Sequence, residues 1–194
     1  MTQKFNKLKS IKAIFIFIFL GTIISCVSSQ SQSNPEAEPN IEMHRVQDST
    51  FHESGWYYAN STKGNFSVLM PIVFNDFTVT VNGYETYNIG SVSDEGIKLT
   101  VSQAKNLKDT PIDLKKIVAN LDSPPKPISE IKYYSLYNYS AVNFFQKSVE
   151  SAAFCKYANH NNYLYTMIIE FPYDQEGLVR EIKDSFFDYL IIED

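Results

Sequence analysis

Residues 159–189 read NHNNYLYTMIIEFPYDQEGLVREIKDSFFDY, and this stretch decides the fold class. Asn159-His160-Asn161-Asn162 makes a reversal, because asparagine tolerates positive φ better than other non-glycine residues. Tyr163–Phe171 follows as a nearly unbroken apolar run, rich in aromatic and β-branched residues, which suits a buried strand. From about Asp174 the period changes. Leu178, Ile182, Ser185, Phe186 and Tyr189 share one helical face, and Ile191-Ile192 read as a short closing strand.

Upstream of the reversal, Ile131–Leu136, Ala141–Lys147 and Val149–Tyr157 read as three further strands. Before them, Thr110-Pro111-Ile112-Asp113 supplies a threonine N-cap, a proline at the first helical position and an acid in the first turn. Leu114, Ile117, Val118 and Leu121 then form one apolar face, and Ser123-Pro124-Pro125-Lys126-Pro127 ends the helix. Further back, Phe77–Val81 meets Tyr84–Tyr87 across Asn82-Gly83, a strong hairpin signal, and Ile97–Val101 follows the turn Ser93–Gly96. Gly55–Tyr58 and Phe66–Met70 flank the turn-rich stretch 60–65. The order is hairpins, helix, meander, helix. It predicts an α+β fold with an antiparallel sheet of about six to eight strands and two packing helices, in a single domain over residues 55–194.

The N-terminus has another texture. Residues 1–12 carry Lys4, Lys7, Lys9 and Lys12 and no acid, and Ala13–Ile24 is apolar except for Gly21 and Thr22. That is the layout of a secretory signal, too short for a spanning helix of roughly 20 apolar residues. Ile23-Ile24-Ser25-Cys26 resembles a bacterial lipobox, with cleavage between Ser25 and Cys26. The resemblance implies a diacylglyceryl thioether on Cys26 and often an acyl chain on its new amino group, which together hold a protein stably on a membrane. Val27 stands where inner-membrane retention usually shows Asp, so the same resemblance favours the outer membrane in a cell with two membranes. Residues 26–54, rich in Ser, Gln, Asn, Glu and Pro, read as the lipidated cysteine and a disordered tether of roughly 30 Å root-mean-square span.

The 194-residue chain has 17 basic and 22 acidic residues. Removing residues 1–25 takes four lysines and no acid, which leaves 13 against 22, a net charge of −9. Such a balance excludes nucleic acid as a partner and leaves the lipid to hold the chain on the membrane. With Cys26 lipidated, Cys155 has no intramolecular partner. It alternates with Ala153 and Tyr157 on one strand face and reads as a small core residue.

Gly64-Asn65-Phe66-Ser67-Val68-Leu69-Met70-Pro71 resembles the opening G-x-F-S strand of the Mog1/PsbP-like fold. Leu164–Pro172, with the acidic helix start and Phe186, is similar to the L-x-T-M-x-I-x-x-P strand and last helix of DcrB-type bacterial envelope lipoproteins. The resemblance spans roughly residues 55–192 and implies a small α/β sandwich used for binding or assembly. Tyr133-Tyr134-Ser135-Leu136-Tyr137-Asn138-Tyr139 has no counterpart in that pattern.

Residues with chemical capacity are sparse. His44 and His52, with Glu42, Asp48 and Glu53, fall in the expected tether, and a metal there would have to organise a segment without register. His160 reads as a turn residue. No G-x-S-x-G, H-E-x-x-H, P-loop or dinucleotide-binding glycine pattern occurs. No catalytic residue, metal or cofactor is therefore expected. Tyr133, Tyr134, Tyr137 and Tyr139 are the candidate contacts for a partner, weighed against a half-buried sheet face. The expected function is a membrane-anchored, non-catalytic binding or assembly module with an envelope protein as partner. The alternatives are a carrier of a small apolar ligand, which needs a large cavity lined by Phe and Tyr, and an enzyme.

Overall fold

The structure is a computed structural model of the chain and describes residues 38–45, 52, 55–108, 110–122, 124–136 and 138–193. In chain order the elements are β1 (Asn40–His44), β2 (Tyr57–Asn60), β3 (Phe66–Met70), β4 (Asn75–Val81), β5 (Tyr84–Val92) and β6 (Lys98–Lys105). Then come α1 (Leu114–Leu121), β7 (Ile128–Leu136), β8 (Tyr139–Lys147), β9 (Ser151–His160), β10 (Tyr163–Pro172), α2 (Glu176–Asp188) and β11 (Ile191–Ile192).

Eight strands form one antiparallel sheet in the order β1-β4-β5-β6-β10-β9-β8-β7, and β11-β3-β2 make a second sheet. The two reversals read from sequence are tight turns at positive φ, Asn82-Gly83 at 52° and 80° and Asn161-Asn162 at 43° and 65°. The side-chain period of two divides the large sheet into two faces. On the inner face Ile89, Leu99, Val101, Phe145, Phe154 and Met167 pack with Val68 and Met70 of the small sheet and with Val179 and Phe186 of α2. On the outer face Val142, Phe144, Cys155, Tyr157 and Ile168 pack with Leu114 and Val118 of α1. The α+β class and the strand number stand as read, with the small sheet added.

The two sheets are joined by a polar lock. Gln103 Oε1 accepts from Asn65 N at 3.0 Å, Tyr165 Oη donates to Asn65 Oδ1 at 2.8 Å, and Gln103 Nε2 donates to the same oxygen. Asn65 Nδ2 donates to Glu193 O at 2.7 Å, and Glu193 N donates to Asn65 O at 2.9 Å. One asparagine thus fastens β3 to β6, β10 and the residue after β11. Gly64 belongs to this closure, since a Cβ there would lie 2.5 Å from Gln103 Oε1 and 2.8 Å from Phe66 Cε1. The spacing of Gly64, Phe66 and Ser67 therefore has a steric cause in this chain.

Four sequence readings are corrected. Residues 40–44, placed in the tether, form β1, with Ile41 and Met43 opposite Val79 and Phe77 of β4. The alternation I-E-M-H is too short to register as a period until a neighbouring edge templates it. The N-cap of α1 is Asp113, whose carboxylate accepts from Lys115 N and Lys116 N, in place of Thr110. Ile112 and Ile117, one residue before the cap and at the fourth helical position, both pack on the outer core, the arrangement of a hydrophobic staple. The buried stripe of α2 runs through Val179, Phe186 and Phe187, rotated by about one residue from the predicted face, and Ser185 and Tyr189 are exposed. Finally β9 begins at Ser151, and Val149 is 81 % exposed in the preceding turn.

Overpacking at Gly64 is the sharpest test of the lock. Gly64→Ala is expected to lower the unfolding free energy by about 1–3 kcal/mol in urea titrations. A variant of wild-type stability would show that Gln103 and Phe66 yield without cost.

Candidate functional site

Of the residues singled out from sequence, Ser25, Cys26 and Tyr137 lie outside the described residues. The other three tyrosines split between the faces of the sheet. Register pairs Tyr133 with Val142 on the outer face and Tyr134 with Ala141 on the inner face. Tyr133 is 43 % exposed, with Lys115 Nζ of α1 5.9 Å from its ring centre. Tyr134 and Tyr139 are half-buried and pack against the inner core.

Those two phenols enclose a residue that the sequence reading passed over. Lys156 is 1 % exposed and sits on the inner face of β9 among apolar neighbours. Its Nζ donates to Phe187 O at 2.6 Å and to Tyr139 Oη at 3.3 Å, and lies 6.0 Å and 5.4 Å from the Tyr134 and Tyr139 ring centres. Phe187 O belongs to the last turn of α2, where unpaired carbonyls concentrate negative partial charge. Burial lowers the Lys156 pKa from 10.5 to about 8, while the Asp188 carboxylate acts in the opposite direction. Burial likewise raises the Tyr134 pKa to about 12, with Tyr139 as the next cause, and Tyr134 Oη donates to Asn143 Oδ1 at 2.9 Å. A buried ammonium caged in this way clamps α2 to the sheet. A lysine inside an apolar strand gives no periodic signal; its alternation with Phe154 and Ala158 was the available clue.

At one end of the large sheet the turn 159–162, residues 110–112 and the β7–β8 turn surround an open recess of about 580 Å³. Its walls are amides and hydroxyls, including Asn138, Ser140, Asn159 and Asn162. Asn106 Nδ2 donates to Asn162 Oδ1 at 2.9 Å and Asn162 Nδ2 to Asn106 O at 3.1 Å, which fastens the β6–α1 connection to the β9–β10 turn. His160 is buried there. Its Nδ1 is 2.7 Å from Asn138 O, which can only accept, so Nδ1 carries the proton and Nε2 accepts from Asn161 Nδ2 at 2.7 Å. The ring bridges the β7–β8 and β9–β10 turns from the last residue of β9, a buried strand position where the sequence predicts a turn residue.

Cys155 and His160 stand on opposite faces of β9, five residues and roughly 17 Å apart. They make no catalytic pair. The Cys155 thiol is free and 2 % exposed, and burial, then Glu170, raises its pKa, so it stays protonated. His44 of β1 has Nε2 2.7 Å from Thr78 Oγ1 and Nδ1 3.9 Å from Glu42 Oε1. His52 stacks edge-on against Tyr58 at 5.2 Å. Among the described residues no group of three or more His, Cys, Asp or Glu side chains is placed to hold a metal. Among them, too, no helix is long and apolar enough to cross a membrane.

No protein-family model and no curated protein matches the sequence. Solved structures do match the fold. The solution structure of cyanobacterial PsbP (CyanoP) from Synechocystis sp. PCC 6803 aligns over 71 % of this chain and 92 % of that one, with a TM-score of 0.50 and 14 % identity. LpqN, a protein involved in cell envelope biogenesis of Mycobacterium tuberculosis, aligns over 83 % and 87 % with a TM-score of 0.38 and 13 % identity. The CyanoP match gives the chain a PsbP/Mog1-like fold, as the G-x-F-S resemblance implied.

The caged lysine makes a signed prediction. Between pH 8 and 10.5 the unfolded chain holds a proton at Lys156 that the folded chain has released, so this group's contribution to stability rises with pH across that window. Urea unfolding at pH 7.5 and 10.5 is compared with Lys156→Met, which cancels the opposing titrations of Cys155 and Tyr134. The wild type is expected to gain about 3 kcal/mol relative to the variant. An unchanged difference would mean that water reaches the amine.

Proposed function

We propose that this protein is a lipoprotein of the bacterial envelope, anchored through lipid on Cys26, whose PsbP-like domain serves as a non-catalytic binding or assembly module. The carrying observation is the N-terminal sequence: four lysines, a dozen mostly apolar residues and the box Ile23-Ile24-Ser25-Cys26 in register. DcrB-type lipoproteins share that layout and the closing strand. The partner is an envelope protein, and Val27 after the cysteine favours the outer membrane where there are two.

A lipid anchor and a polar leash raise the local concentration of a domain at the membrane, roughly into the millimolar range for short linkers. Such confinement benefits a binding module whatever its catalytic capacity. The carrier reading asks for an apolar cavity, whereas the recess at the 159–162 turn is open and amide-lined, and a second is only about 50 Å³. Among the tyrosines proposed as contacts, Tyr133 has the exposure for the role, with Lys115 and the α1 surface beside it. Tyr134 and Tyr139 are engaged with Lys156.

Cys26→Ala is expected to accumulate as uncleaved precursor or to appear in the soluble fraction after carbonate washing. A variant that is cleaved normally and still pellets with membranes would refute the anchor. Tyr133→Ser is expected to abolish photo-crosslinking to an envelope protein with little change in melting temperature, and a large loss of stability would mark that ring as core.

A further inference from the structure

We propose that the end of the large sheet bearing the Asn82-Gly83 turn, residues 105–108 and the first turn of α1 rests on an anionic bilayer surface. This inference depends on the lipid-anchored reading above and adds the orientation of the domain. Asn40, the first residue of β1, lies opposite Thr80, two residues before the Asn82-Gly83 turn. The antiparallel ladders bring the end of β6, the β9–β10 turn and the start of α1 to that same end. The chain therefore enters the fold there.

Length decides which end can meet the membrane. Fourteen residue steps separate Cys26 from Asn40. On the tether reading of the sequence these steps span about 20 Å root-mean-square. The ten-residue strands β9 and β10 make the sheet about 33 Å long. The entry end is thus within the relaxed reach of the leash, and the far end meets the bilayer only with the leash stretched.

The chemistry of the two ends agrees. The overall acidity of the chain predicts repulsion from anionic headgroups, but the charges are unevenly placed. Residues 105–116 carry four lysines and two acids, and Lys105, Lys108, Lys115 and Lys116 are all exposed. One of the acids, Asp113, is paired with Lys116 at 3.7 Å. Leu107 and Tyr84 at this end are 46 % and 54 % exposed, the apolar and amphipathic types that settle at a lipid interface. Glu38 and Glu85 are opposing charges at this end, and Asp109 is the second acid of the 105–116 stretch. At the far end the turns display Asp94, Glu95, Glu150 and Asp174 against the exposed Lys126 and Lys147, a net negative charge that anionic headgroups repel.

The test uses the full lipidated chain purified from membranes and reconstituted in vesicles of phosphatidylcholine with phosphatidylglycerol. Leu107→Cys and Val149→Cys each carry an environment-sensitive fluorophore, since buried Cys155 does not label in the folded protein. Headgroup spin-labelled lipid is expected to quench position 107 severalfold more than position 149. Lys105→Glu with Lys108→Glu, or pure phosphatidylcholine, is expected to reduce that quenching while the protein still sediments with the vesicles. Sedimentation with no quenching at 107, or equal quenching at both positions, overturns the orientation and leaves the anchor intact. Failure to sediment overturns the anchored reading, and this inference with it.

Discussion

The side chain of Asn65 is the point on which the two sheets depend. Its oxygen accepts from Gln103 and Tyr165, its amide donates to Glu193 O, and its backbone completes two more bonds. Apolar contact alone would let the three-stranded sheet slide over the large one, because hydrophobic burial has no direction. A partly buried polar network does have direction, and leaving its buried members Gln103 or Tyr165 unpaired costs about 1–3 kcal/mol. The lock therefore selects one registration of β3 against β6 and β10. Gly64 is the space that this registration requires.

Lys156 is the second directional device, and it works against a gradient. Placing an ammonium on the inner face costs desolvation, visible in its lowered pKa. What offsets the cost is the α2 carbonyl of Phe187 and two phenol rings, all brought in by tertiary packing. The tyrosine-rich stretch around 133–139 thus has one part that supports a buried charge and one ring that faces outward. That division follows from strand parity: Tyr134 and Lys132 share the inner side of β7, and Tyr133 takes the outer side.

The same parity explains what was legible in the sequence. Segments whose pattern is set locally, such as the Asn82-Gly83 hairpin, the Tyr163–Phe171 strand and the Leu114–Leu121 helix, announced themselves through turn chemistry and period. Cys155 was readable as core from its alternation with Ala153 and Tyr157. β1 was not, because five residues of mixed polarity become a strand only against the exposed edge of β4. Lys156 and the Asn65 lock were invisible for a related reason. Their partners lie 17 to 128 residues away, and a single sequence carries no trace of which distant donor meets which acceptor.

The sheet edges decide where another chain could add a strand. An open edge strand invites pairing with another chain. β1 covers β4 and is itself the edge strand on that side. At the opposite edge β7 breaks register between Ser129 and Lys132, with Glu130 at φ 54°. Arg180 of α2 holds that bulge, with Nη2 3.0 Å from Glu130 Oε1 and 2.8 Å from Glu176 Oε1. A bulge twists an edge away from a straight incoming strand. Strand addition along the length of β7 is therefore disfavoured. For the partner proposed above, the bulge leaves recognition by side chains on the outer face beside β7, where Tyr133 stands next to α1.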